Sequence, residues 1–425
     1  KLIMDGTTLQ AGTSYDIDGG SNNDTLQMVN ASSNIAGGSG DDTLDVDITS
    51  QTGRLLVNLA NENQITEVNG DSTVSAVASG FENINAAGYV GSFADITGDA
   101  NNNTIVGTGG NDTLRGAGGN DVLDISAGGN DTVLGGDGND DIVGSAADFT
   151  NSDVIDGGAG TNEIKITADG NTAALDDIAN VGTVSFIQSG SSNVGATLTF
   201  SSANTDAITF DGSNLGSSNV LTVDATDAQA DGVYTITGGA AGDTLKGGDG
   251  NDIITGGAGG DSLTGDAGND TFVFSTTNSL NGSDTVADFG TGTDVIDFAF
   301  GETNGLAKAD LRGDGTDVQE ADFTSGNSDL DANGGLAVST TNNNGFSDAN
   351  IVTAFEGITS SAGDKFYFLL SDGTDAKLGL FEEDGTAAST VDTDDDFSIL
   401  ATLTGVSHTD LNGLAPANYE DFIGA

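Results

Sequence analysis

The chain contains no cysteine and no tryptophan, one proline (Pro416), one histidine (His408), and only nine lysines and arginines against 66 aspartates and glutamates. Without cysteine there are no disulfides and no thiolate chemistry. A zinc protease would carry His-Glu-x-x-His, which is missing, and a serine hydrolase would carry a Gly-x-Ser-x-Gly turn opening a helix. Gly190-Ser-Ser-Asn-Val does not fit the latter, and a serine triad would have only His408 as its base. Carboxylate pairs of the glycosidase kind exist among so many acids. The aromatic platforms that usually line such clefts would have to form without tryptophan. The chain is therefore not expected to be an enzyme. Its few basic residues form no cluster, which excludes nucleic acid as a partner. No run of about 18 apolar residues occurs, so no transmembrane segment is expected. The sequence opens on Lys1 with neither a methionine nor a basic-then-apolar leader, as expected of a fragment or a processed product of a longer protein.

What is abundant is acid and glycine. The formal net charge is −57 and 66 of the 425 residues are glycine. Like charges at that density repel, so a compact state needs counter-cations.

The glycines and acids are ordered. From Gly238 to Val273 the chain reads as four consecutive nines: Gly238 to Lys246, Gly247 to Thr255, Gly256 to Thr264 and Gly265 to Val273. Each has aspartate at the sixth place (Asp243, Asp252, Asp261, Asp270) and an apolar residue at the eighth (Leu245, Ile254, Leu263, Phe272). A strict period of nine marks a parallel β-solenoid with calcium in its turns. Aspartates supply the hard oxygen ligands that Ca²⁺ prefers, and glycine lets the backbone turn tightly and carbonyls crowd an ion. The turn positions Gly247, Gly248, Asp249 and Gly250, then Gly256, Gly257, Ala258 and Gly259, then Gly265, Ala267 and Gly268, are the candidates to complete each site. Two nines make one coil, and stacked coils bring turns about 4.8 Å apart, close enough for an ion to take ligands from both. A flexible acidic linker would not keep an apolar residue in phase with an aspartate over four periods.

Looser copies lie upstream. Gly19 to Leu26 and Gly37 to Leu44 carry Asp24 and Asp42. A longer block, 98 to 166, has sixth-place residues at Asn103, Asp112, Asp121, Asp131, Asp140, Asp153 and Asn162, at steps of nine, nine, ten, nine, thirteen and nine. The thirteen-step contains an insertion, Gly144 to Thr150, expected to bulge as a loop. Asn103 and Asn162 lack the carboxylate charge, so sites at the two ends of this block are expected to be weak or absent.

These nonapeptides resemble the RTX family, the glycine- and aspartate-rich repeats of secreted bacterial proteins with consensus Gly-Gly-x-Gly-x-Asp-x-apolar-x. The resemblance implies a right-handed parallel β-roll, several Ca²⁺ ions held between adjacent turns, export by type I secretion machinery, and folding outside the cell once calcium is met. Ser283 to Phe289 and Gly292 to Phe298 resemble the segment that closes such rolls. By that resemblance Asp284 and Asp288 hold a last ion, an ordinary polar strand edge being the alternative.

The expected architecture is all-β. Residues 1–97 form a first RTX pair followed by ion-free strands such as Leu55 to Leu59 and Phe81 to Ile84; 98–166 form a calcium block; 238–298 form the central block and cap. Residues 167–237 carry short alternating runs compatible with solenoid or β-sandwich, the direct run into the central block favouring solenoid. Residues 299–425 are expected to be a separate β-rich domain. In it Lys365 to Leu370 and Leu378 to Phe381 read as a hairpin, and Asp410 to the end resembles a type I secretion signal. Asp329-Leu-Asp331-Ala-Asn333-Gly334 matches the first half of an EF-hand calcium loop, but its twelfth place is Thr340 rather than glutamate.

The functional expectation is an extracellular, calcium-binding structural protein of the bacterial surface, most like RTX-type S-layer proteins and assembling with copies of itself, with cell-surface polysaccharide as a further candidate partner. A segment of a large adhesin or filament, and the secretion half of a calcium-dependent hydrolase, are the rival expectations.

Overall fold

The computed structural model describes residues 16–28, 34–48, 53–68, 77–91, 93–175, 177–188, 196–199, 207–226, 232–275, 282–289, 294–299, 336–339, 359–360, 365–371, 375–382, 389–390 and 396–404. Every regular element among them is a strand. The chain divides into two compact units, Lys1–Asp211 and Gly212–Ala425.

In the first unit one sheet runs through Thr25–Met28, Thr43–Val46, Asn83–Asn85, Thr104–Val106, Val122–Asp124, Asp141–Ser145, Glu163–Ala168, Thr183–Gln188 and Ile208–Asp211, each strand parallel to the next. A second sheet runs through Arg54–Asn58, Phe93–Thr97, Thr113–Gly118, Thr132–Asp137, Val154–Ala159 and Asp177–Ala179, also parallel. From Phe93 to Glu163 the chain alternates between the two sheets, so parallel neighbours are one full coil apart. This is a parallel β-solenoid.

The period of nine explains the register. A strand turns successive side chains to opposite faces, so the eighth-place residue points inward while the seventh and ninth point out. Leu26, Leu44, Ile84, Ile105, Leu123, Ile142, Ile164, Val184 and Phe210 stack into one interior column, none more than 1 % exposed. Val57, Ile96, Leu114, Val133, Ile155 and Ile178 form the opposing column. Each buried aliphatic side chain contributes about 1.5–3 kcal/mol, so the core of the roll is assembled one rung at a time. The outward face carries the few ion pairs, including Arg115–Asp95 and Lys165–Asp141 across neighbouring coils. Half-exposed pairs of this kind contribute about 0–1 kcal/mol.

The second unit repeats the plan. Tyr234–Thr237, Ile253–Thr255, Thr271–Ser275 and Val295–Ala299 make one parallel sheet, and Leu221–Asp224, Thr244–Gly248, Ser262–Asp266 and Asp284–Val286 the other. Ile236, Ile254, Phe272 and Ile296 face Val223, Leu245, Leu263 and Val286 across its interior.

The strands described between 167 and 237 pair in parallel, which is solenoid and not sandwich. The described strands between 45 and 97 continue the coil, except that Ile65–Val68 folds back antiparallel onto Arg54–Asn58. The insertion after Asp140 does not simply bulge. Gly144 and Ser145 extend the strand Asp141–Ser145, Asp148 accepts hydrogen bonds from the Ser145 amide and hydroxyl, and Phe149 is buried. An aromatic side chain inside the roll explains why this coil tolerates four extra residues. In the tail, Lys365–Ser371 and Ala376–Glu382 form the expected hairpin. That hairpin is tied by Asp396–Leu403 to Asp284–Val286, so these strands of the tail extend the roll's own sheet, while Thr359–Ser360 and Ser389–Thr390 pair by themselves. Thr340, His408 and the segment from Asp410 lie outside the described residues.

Candidate metal centre

The sixth-place carboxylates form ladders running along the coils. On one side of the first unit the Asp24 amide donates to Asp42 Oδ1 at 2.8 Å, Asn103 to Asp121 at 2.7 Å, Asp121 to Asp140 at 2.8 Å and Asp140 to the Asn162 side-chain oxygen at 2.9 Å. On the other side Asp112 donates to Asp131 at 2.8 Å and Asp131 to Asp153 at 2.6 Å. In the second unit Asp243 donates to Asp261, and Asp261 to Asp284; opposite them Asp252 donates to Asp270, and Asp270 to Asp294. Each coil is thus sewn to its successor through one carboxylate oxygen, here Oδ1.

The second oxygen is the informative one. The Oδ2 atoms of Asp42, Asp121, Asp140, Asp252, Asp261 and Asp270 are buried and accept no hydrogen bond. A buried polar atom without a partner is costly, and the same atom is left bare in six of the repeats. Beside each lies the first-place glycine of its own repeat. A Cβ on Gly116 would stand 2.2 Å from Asp121 Oδ2 and 2.4 Å from the Gly135 carbonyl oxygen of the next coil. On Gly247 and Gly265 it would stand 2.2 Å from Asp252 Oδ2 and 2.1 Å from Asp270 Oδ2. The missing methyl group leaves a small cradle, walled by a carboxylate oxygen and, where the next coil follows as at Gly116, by that coil's main-chain carbonyl.

The second place of the repeat decides whether the cradle stays open. At Gly38, Ala117, Gly136, Gly248, Gly257 and Asp266 φ lies between 68° and 114°, in the left-handed region. These six residues belong to the repeats of the six orphaned oxygens. In the repeats of Asp112 and Asp243 the second-place amide instead caps the carboxylate: Thr108 donates to Asp112 Oδ2 at 2.5 Å and Gly239 to Asp243 Oδ2 at 2.6 Å. Asp153 Oδ2 is capped by an amide one place later, that of Thr150.

At the ends of the first block asparagine closes the ladder. Asn162 turns its amide nitrogen toward the Asn180 carbonyl at 2.9 Å, and Asn103 turns its own toward the Glu82 carbonyl at 2.6 Å. An N–H replaces the bare oxygen, so no uncompensated charge is buried there.

The electrostatics agree. Burial pushes the carboxyls of Asp121, Asp243, Asp261 and Asp270 up to about 6 and those of Asp131 and Asp252 to about 7, the amide each accepts offsetting part of the rise. Repulsion from the next rung adds to it at Asp121 and Asp252. Asp284 is raised too, by burial and by Asp261. Ionised carboxylates held this way call for a cation. No three acidic or histidine side chains converge among the described residues, so an ion here would take two carboxylates and fill its shell with main-chain oxygens. An all-oxygen, glycine-lined set of that kind suits Ca²⁺.

The family model for the RTX calcium-binding nonapeptide repeat matches residues 97–128, 125–148 and 237–272, in four copies. The chain carries RTX calcium-binding repeats. RTX repeats bind calcium and indicate a secreted, extracellular protein, and proteins that contain them are typically exported by type I secretion. No curated protein matches the chain. Among the described residues no helix is long and apolar enough to cross a membrane.

Other expected ligands fall in different places. Asp288 accepts from the Gly265 amide at 3.1 Å and the Asp266 amide at 2.6 Å, capping the last nonapeptide turn. Asp249 is exposed. The Gly248 carbonyl accepts the Ala267 amide at 3.0 Å, and Ala258 donates to Gly239. The cradle wall formed by the Gly256 carbonyl stands 2.2 Å from where a Gly238 Cβ would be; Gly257, Gly259 and Gly268 hold the turn through positive φ, and a Cβ on Gly250 would meet the Gly232 carbonyl at 1.5 Å. Asp329, Asp331 and Asn333 lie outside the described residues.

Two ladder members escaped the sequence reading. Asp294 accepts from Asp270 at 3.1 Å, and Glu82 accepts from Asp42 at 2.8 Å. Both stand two places before a buried isoleucine, Ile296 and Ile84, which is the sixth-to-eighth spacing. A second ladder also went unread: fifth-place asparagines accept from the fifth-place amide of the next coil, as Asn120 from Asn139 and Asn251 from Asn269. It runs opposite to the aspartate ladder and ties the turn from its solvent side.

Proposed function

We propose that this chain is a calcium-stabilised structural protein of the bacterial cell surface that assembles with copies of itself into a coat of the S-layer kind, and that it is not an enzyme. The observation that carries the reading is the buried, unpartnered Asp Oδ2 that recurs in six of the repeats, a construction that devotes acidic residues to holding ions. Bound Ca²⁺ neutralises the buried carboxylates and joins adjacent coils through shared oxygens. The net charge of −57 with nine basic residues favours assembly through bridging cations, because acidic surfaces facing each other need a cation between them. Serine- and threonine-rich strands interleaved with the ion-binding turns present long outward faces suited to lateral packing.

The test is calcium addition to the purified chain, followed by circular dichroism and electron microscopy. Folding followed by ordered sheets supports the surface coat. Folding with no assembly at any protein concentration favours an adhesin segment or the secretion half of a hydrolase instead.

A further inference from the structure

The ladder does not begin where the matched nonapeptides begin. Between Ala36, paired with Ser79, and Thr43, paired with Asn83, the six residues 37 to 42 are matched by only the three residues 80 to 82. The turn Gly80-Phe-Glu82 is therefore too short to be a nonapeptide turn, and the family match starts only at residue 97. Two features compensate. Phe81 is buried and its main chain is clasped by Gln64, which accepts the Phe81 amide at 3.1 Å and donates to its carbonyl at 2.7 Å. Glu82, one methylene longer than aspartate, reaches the rung position and accepts the Asp42 amide through Oε2 at 2.8 Å.

Asp42 is fully buried; its Oδ1 accepts the Asp24 amide and its Oδ2 has no partner. A Cβ on Gly37 would stand 2.1 Å from the Gly80 carbonyl oxygen and 2.9 Å from Asp42 Oδ2. The cradle of Gly116, Asp121 and Gly135 is reproduced, with glutamate in place of the next aspartate.

We propose that Asp42 Oδ2, the Gly80 carbonyl and the Glu82 carboxylate hold a calcium ion, a site shared between the Asp42 nonapeptide and the short non-repeat turn 80 to 82 that joins the first repeat pair to the coils after it. The inference rests on the calcium reading above. A carboxylate whose partner oxygen is bare, a carbonyl aimed into the same gap and a second carboxylate on the next coil make an oxygen-only set, and a hard divalent cation is what satisfies it.

Glu82→Gln keeps an oxygen to accept the Asp42 amide and removes only the charge. By equilibrium dialysis at saturating calcium, this variant of the full chain is expected to bind one ion fewer than the parent, and Glu82→Asp to bind that ion more weakly. Calcium-loaded crystals of the parent should show an anomalous peak between Asp42 and Glu82. An unchanged ion count in Glu82→Gln overturns the proposal, as does a parent map with peaks beside Asp121 and Asp252 but none at Glu82. Should the glutamine variant fail to fold, the parent map alone decides. A parent that binds no calcium at all sinks the broader reading as well, which separates the two failures.

Discussion

Without calcium the chain should fold on acidification, the reverse of ordinary acid denaturation. The perturbation is a pH titration from 8 to 4 in a calcium chelator. In the second unit, burial raises Asp243, Asp261 and Asp270 to about 6 and Asp252 to about 7 from an ordinary 3.8. A rise of that size costs the ionised form on the order of 3 kcal/mol per group. Four groups sum to roughly 13 kcal/mol, as much as the whole stability of an ordinary domain. Between pH 3.8 and the raised values the folded state binds more protons than the unfolded one, so stability falls as pH rises through that window. The penalty is complete above about pH 7 and is relieved as pH falls from about 7 toward 4. Far-ultraviolet circular dichroism should therefore show β-structure appearing in that window with chelator present. With calcium present the β-signal should already be full at pH 8, and the calcium needed for half-folding should fall as pH drops, because protonation already relieves the buried carboxylates, while the folded chain's affinity for calcium weakens as protons and the ion compete for the same oxygens. A chain that is fully folded at pH 8 in chelator, or that loses β-structure on acidification there, refutes the reasoning.

Three substitutions follow. Gly247→Ala puts a methyl group 2.2 Å from Asp252 Oδ2, and should destabilise the calcium-loaded fold by about 1–3 kcal/mol and raise the calcium midpoint; Gly182→Ala, where a Cβ meets nothing within 4 Å, is the control that should leave the midpoint in place. Asn162→Asp replaces an amide that donates to the Asn180 carbonyl with a bare carboxylate, so it should weaken the chain in chelator and add one ion in calcium, read by thermal melts and dialysis. Ala117 holds a left-handed φ of 80°, so Ala117→Gly should raise stability by about 1 kcal/mol in a chemical melt; a loss of stability there would contradict the assigned turn geometry.

The roll was legible in sequence because its period is enforced by two coupled needs, an inward side chain at the eighth place and an oxygen at the sixth. Any residue that broke either would unpair a coil, so the pattern stayed strict from Gly238 to Val273. What was not legible lay where the turn length changes while the rung is kept. Glu82 hides because three turn residues are missing before it, and its longer side chain restores the reach. Phe149 hides because an insertion normally reads as loop, whereas here the extra residues bury a ring. The capping of Asp112 by Thr108 against the openness of Asp121 beside Ala117 depends on backbone φ, which residue type at the second place does not fix: Gly239 caps and Gly248 does not. The union of the tail with the roll rests on Asp396–Leu403 choosing Asp284–Val286, a long-range pairing that no local pattern announces.

The central claim is that the orphaned carboxylate oxygens mark the ion sites. Anomalous diffraction from calcium-loaded crystals tests it most directly. The account predicts peaks beside Oδ2 of Asp121, Asp140, Asp252 and Asp270, and none beside the amide-capped Oδ2 of Asp112 and Asp243. Peaks at the capped positions with none at the orphaned ones would contradict it.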